Sequence, residues 1–165
     1  MVSFGHTAVG VIVGVTVYKF LGQGDLTVGL IITGAVGVVS HYITDFIPHG
    51  HFFKPKDFKK GIIPVIIFDL LLPIIFFLGV IYAKGGFSEK LLYIIFGIGG
   101  AQLPDIVDGL ISIRVIQDNT LLEAENSFHQ SLHWHGKGAK TLLLGLKDFW
   151  QLLIILVALF WVIFN

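Results

Sequence analysis

From Leu26 to Thr44 the chain carries no lysine, arginine, aspartate or glutamate, and Asp45 is the first charge that interrupts it. An uncharged apolar run of about 20 residues is the length that crosses a bilayer as a helix, because inside lipid every backbone N–H and C=O must be satisfied within its own segment. Similar runs extend from about Phe4 to Leu21, Gly61 to Ala83, Leu91 onward, and Phe149 to Phe164. Only 13% of the 165 residues are charged and 55% are hydrophobic, with a mean hydropathy of +0.85. Soluble domains carry about 25% charged residues. The expected fold is all-α, one integral membrane domain over residues 1–165, built as a bundle of about five transmembrane helices. The N-terminal run has no basic residue ahead of it and no small-residue cleavage pattern, so it reads as a retained helix rather than a signal peptide.

Within this frame the second run, ending near Ile47, delivers an unusual cluster: Ser40-His41-Tyr42-Ile43-Thr44-Asp45-Phe46-Ile47-Pro48-His49-Gly50-His51. On a helix, His41, Asp45 and His49 fall at i, i+4 and i+8 and share one face, although Pro48 disfavours helical geometry at Ile47 and turns His49 back over the helix end. Other ionisable residues lie near run ends. His6 opens the first run; Asp105 and Asp108 follow Pro104, which is expected to interrupt the fourth. Glu123, Glu125, His129, His133 and His135 lie in a polar stretch from Ile113 to Asp148. Asp69 sits inside the third run, four residues before Pro73, which removes the helical partner of its carbonyl.

An ionisable group at the centre of a span costs roughly 2.5 to 3.5 kcal/mol, so such residues need partners. The chain has no cysteine, which excludes disulfides and thiolate sites; a metal must be held by nitrogen and oxygen. Zero formal charge and the lack of a basic tail argue against nucleic acid as a partner. The candidate metal ligands are His6, His41, Asp45, His49, Asp105, Asp108, His129 and His133. Asp69, Asp108 and Glu125 are the candidate proton-handling groups. The expected cofactor is a divalent ion, zinc above others, with more than one ion allowed by the ligand count. Duller alternatives stand beside these roles. His41 and Asp45 can hydrogen-bond to each other, Asp105 and Asp108 can cap a following helix, and His51 and His135 read first as surface residues.

Five crossings put Lys54, Lys56, Lys59, Lys60, Arg114, Lys137, Lys140 and Lys147 on one side and Lys19, Lys84 and Lys90 toward the other, eight against three. The first side is then expected to be cytoplasmic, in the cytoplasmic membrane of a bacterium or archaeon. His6, the His41 cluster, Asp105, Asp108 and the late histidines all fall on it, so separate helices are expected to bring their ligands to one rim.

The segments Gly5-His6-Thr7, Leu103-Pro104-Asp105-x-x-Asp108 and the late Phe128-His129-Gln130-Ser131-Leu132-His133 resemble membrane-bound metal-dependent hydrolases of the LexA-binding inner-membrane family. The late segment lacks the arginine and the Thr-His-Ser of that family's pattern. His41-x3-Asp45-x2-Pro48-His49 resembles a metal motif of zinc-dependent phospholipases C. The resemblance implies a metal-dependent hydrolase, with membrane lipid as partner and a phosphoester or phospholipid-like substrate. The competing reading is a divalent-metal transporter, whose site would be expected near the midplane and between repeats; a metal-binding or structural membrane protein is a third.

Overall fold

A computed structural model describes residues 3–46, 71–86, 88–112, 115, 120–132 and 142–164. All the described elements are helices: α1 Ser3–Leu21, α2 Leu26–Asp45, α3 Leu72–Gly85, α4 Glu89–Ser112, α5 Thr120–Leu132 and α6 Leu142–Phe164. Three contain stretches long and apolar enough to cross a membrane: Phe4–Leu21, Leu26–Asp45 and Glu89–Ile111. The apolar parts of α3 and α6, Leu72–Tyr82 and Leu152–Phe164, are shorter.

α1 is apolar around its whole circumference and takes the central place, touching α2, α3, α4 and α6. Ala8, Val11 and Val15 on α1 form the core with Phe77 and Ile81 of α3, Leu91, Ile94 and Ile98 of α4, and Ala158 and Val162 of α6. At the far end of α1 the Lys19 ammonium lies 5.1 Å from the Trp161 ring centre of α6. The outer face of α2 keeps Val28, Ile31, Val39 and Ile43 more than half exposed, a surface suited to lipid rather than water.

Glycines set how closely the helices approach. A Cβ on Gly10 would lie 2.6 Å from the Ile98 Cα, and one on Gly14 would strike the Ile94 Cα. α1 and α4 therefore run antiparallel in backbone contact. On the other side of α4, a Cβ on Gly37 would lie 2.7 Å from the Gly97 carbonyl oxygen, and α2 runs parallel to α4. The turn at Gly22 and Gly24 that reverses the chain between α1 and α2 ends in Asp25, whose side chain accepts from the Val28 N–H at 2.9 Å and caps α2. These directions bring the start of α1 and the ends of α2 and α4 to one end of the bundle.

Three expectations change. Pro104 does not interrupt the fourth run: α4 continues through it to Ser112. A proline removes a single N–H from the ladder, here the one owed to the Gly100 carbonyl, and a helix packed along its length tolerates that loss. Asp105 and Asp108 consequently lie within α4 rather than capping a new helix. Second, the polar stretch contains an amphipathic helix, α5, with Leu121, Leu122, Phe128 and Leu132 spaced among polar residues. Third, α6 begins at Leu142, seven residues before the expected start, because Leu142-Leu143-Leu144-Gly145-Leu146 is apolar and the adjoining Lys147 and Asp148 do not stop a helix. Asp69, His49, His51, His133, His135 and Lys54 to Lys60 lie outside the described residues, as does the first part of the third run.

Candidate metal centre

The helix directions place His6 on the first turns of α1, His41 and Asp45 on the last turns of α2, Asp105 and Asp108 near the end of α4, and His129 on α5. Their side chains converge. His6, His41 and His129 are 0%, 0% and 1% exposed and Asp45 is 1% exposed, a degree of enclosure that histidine and aspartate reach only with partners.

Asp45 is the hub. Its Oδ1 lies 3.2 Å from His6 Nε2, and its Oδ2 lies 3.1 Å from His41 Nε2 and 2.9 Å from His129 Nε2. Asp105 faces the same three nitrogens at 3.8, 3.7 and 3.8 Å. The Nε2 atoms of His41 and His129 are 3.0 Å apart. Ligand groups His6, His41, Asp45 and His41, Asp105, His129 each gather within the span that one ion requires.

What lies behind each imidazole decides which nitrogen holds the proton. His41 Nδ1 donates to the Ala101 carbonyl of α4 at 2.7 Å. The Thr44 hydroxyl donates to the His41 carbonyl at 2.9 Å, so its oxygen is left to accept from His6 Nδ1 at 3.2 Å. His129 Nδ1 lies 2.9 Å from Asp108 Oδ2. In His41 and His6 the Nδ1 proton is committed to an acceptor, which leaves the Nε2 lone pairs directed at Asp45, whereas His129 faces carboxylates through both nitrogens, Asp108 at Nδ1 and Asp45 at Nε2. This is the arrangement of ligating histidines, whose second nitrogen donates to a carboxylate, carbonyl or hydroxyl.

At His6 and His41 such an array is repulsive on its own: nitrogen lone pairs meet the carboxylates of Asp45 and Asp105. A cation reverses every one of these interactions. With metal–donor bonds of about 2.0–2.1 Å, neighbouring donors of a tetrahedral ion are about 3.3 Å apart. The Nε2 and carboxylate atoms here are separated by 2.9 to 3.8 Å. Buried His6 Nε2, although 3.2 Å from Asp45, has no hydrogen bond. The donor set and its geometry fit a divalent ion of the zinc class.

His129, outside the long apolar helices, shows the electrostatic bias directly. Burial opposes its charged form, but hydrogen bonding to Asp108 and Asp45 and the nearby charge of Asp105 outweigh burial and push its pKa up to about 10. A proton thus occupies in the metal-free protein part of the role a cation would take.

The cluster is closed toward the bundle and more open at Asp105, whose side chain is 37% exposed. Asp108 and Glu125 form a further group with His129. The Tyr42 hydroxyl donates to Glu125 Oε1 at 2.6 Å, and its ring meets both His41 and His129 edge-on. Deeper in the bundle, Gln102 donates to the Thr7 hydroxyl at 2.7 Å.

Of the sequence candidates, the structure brings together His6, His41, Asp45, Asp105, Asp108, Glu125 and His129. His49, His133 and Asp69 lie outside the described residues. Tyr42, Thr44 and the Ala101 carbonyl were not among the candidates. Tyr42 and Thr44 lie inside the conspicuous His41–Asp45 segment, but no spacing rule marks them, because their roles depend on α1 and α5. No family model, curated protein or solved structure matches the chain.

Proposed function

We propose that this chain is a membrane-embedded hydrolase that uses a divalent metal, zinc above others, to cleave a phosphoester or phospholipid-like substrate at one rim of the membrane. The observation that carries the reading is the convergence of three imidazole Nε2 atoms on one buried carboxylate. His6, His41, Asp45 and His129 would hold the ion, with Asp105 on its open side. The chemistry such an ion supplies is Lewis acidity, which lowers the pKa of water toward about 7 and polarises a phosphoester.

The remaining groups have distinct tasks. Asp108 orients His129 and keeps its Nε2 turned inward. Glu125, held by the Tyr42 hydroxyl, is the carboxylate placed to accept or return a proton at the rim. Asp105, partly exposed, marks the side from which a substrate enters. The position of the cluster at helix ends favours hydrolysis of a headgroup over transport, for which ligands at the midplane are expected. The short motifs around His6, Asp105 and His129 support the same reading by resemblance.

The test is metal analysis of the purified full-length protein, followed by release of headgroups from phospholipid vesicles and hydrolysis of a chromogenic phosphodiester. Bound zinc with activity abolished in His41→Ala is the expected result. Zinc uptake into sealed proteoliposomes without hydrolysis would favour the transporter instead.

A further inference from the structure

We infer that the ion itself tightens the clamp of α5 on the bundle, beyond what protonated His129 supplies, so that metal binding firms the docking of this helix and metal loss loosens it. The inference rests on the metal reading above. Burial of its described side chains holds α5 at few points. Of its described side chains only His129 and Leu132 are buried, whereas Leu121 is 79% and Phe128 is 52% exposed. At 13 residues it is short enough to be marginal as an isolated helix in water.

The polar and ring contacts of His129, Glu125 and Phe128 converge on one spot. His129 reaches Asp45, His41 and Asp108, while Glu125 and Phe128 meet Tyr42. By contrast, α1 and α4 meet along a seam of backbone contacts at Gly10, Gly14 and Gly97. The other nitrogen and oxygen donors, on α1, α2 and α4, belong to this tightly packed part. The ion is therefore shared between a fixed half-site, His6, His41, Asp45 and Asp105, and one donor on a weakly attached helix.

Linkage makes the effect quantitative. The factor by which docked α5 strengthens metal binding equals the factor by which metal strengthens docking, and couplings of this kind are typically about 5- to 150-fold. A ligand such as His129 belongs at the upper end of that range. α5 would then act as a gate over the centre that is held more firmly shut in the loaded protein.

The absence of cysteine permits a direct test. Phe20→Cys and Leu121→Cys, both at exposed positions far along their helices from the cluster, are combined in the full chain, spin-labelled and purified in detergent micelles. The distance distribution is measured by pulsed electron resonance with zinc and after chelation, with zinc content determined on the same samples. A narrow distribution with zinc that broadens on chelation supports the clamp. The same doubly labelled chain carrying His129→Ala should stay broad even when zinc is held by the remaining donors. A loaded protein whose distribution is unchanged by chelation, or unchanged by His129→Ala, overturns the clamp alone. A chain that takes up no zinc overturns the metal reading and the clamp together.

Discussion

Asp45→Asn is the most informative single substitution, because it changes charge and ligating ability while keeping shape. The carboxylate touches all three Nε2 atoms, at 3.2, 3.1 and 2.9 Å. Asparagine fills the same volume, yet its amide nitrogen cannot ligate and its oxygen carries no charge. Loss of a group that merely orients a metal ligand weakens binding about 10- to 100-fold, so loss of this direct donor should weaken it by at least about 100-fold. At free zinc 100 times the wild-type Kd, binding stabilises the folded protein by about 2.7 kcal/mol; a variant bound 100-fold more weakly retains only about 0.4 kcal/mol. Affinity is measured by competition with a chromophoric chelator in micelles. Stability is measured by denaturation of wild type and variant, each with zinc and with EDTA. The difference between the two conditions isolates the ion's contribution from any damage to the fold. A zinc-dependent increment in Asp45→Asn as large as in wild type would refute the argument that this carboxylate is the hub.

Three further outcomes are expected. Gly14→Ala forces a methyl against the Ile94 backbone and should destabilise the bundle by about 1–3 kcal/mol, whereas Gly99→Ala, which meets nothing within 4 Å, should be neutral or stabilising; unfolding in mixed detergent micelles compares them. In the metal-free protein, the stability that His129 contributes is fully present below its unfolded pKa of about 6.5. It is lost as pH rises through about 10. Between those values zinc must displace the proton, so calorimetry in buffers of different ionisation enthalpy should report proton release at pH 8. Tyr42→Phe removes the 2.6 Å bond to Glu125 without touching the Nε2 cluster; it should lower hydrolytic turnover while leaving zinc affinity within about threefold, since no donor is lost.

The parts of the site that were legible in sequence are those a single helix determines. His41 and Asp45 at i, i+4, and Asp105 and Asp108 at i, i+3, share a face by helical geometry alone, and the fold keeps each pair together. That His6 joins them depends on the glycine seam, whose close-packing value was readable but whose partner helix was not. Pro104 suggested a break because local preference favours one, and packing along α4 overrode it. α5 was not delimited within the polar stretch because its few apolar residues are diluted by polar ones. Thr44 and Tyr42 carried no signal, since a hydroxyl gains its meaning only from the ring facing it.

The partner of His41 is a main-chain oxygen, whereas His6 depends on a threonine hydroxyl. Replacement of the Ala101 side chain leaves that oxygen in place as long as the backbone holds, so one imidazole is oriented by the course of the polypeptide and is insulated from mutation. The other can be turned loose by exchanging a single hydroxyl for a methyl, as in Thr44→Val.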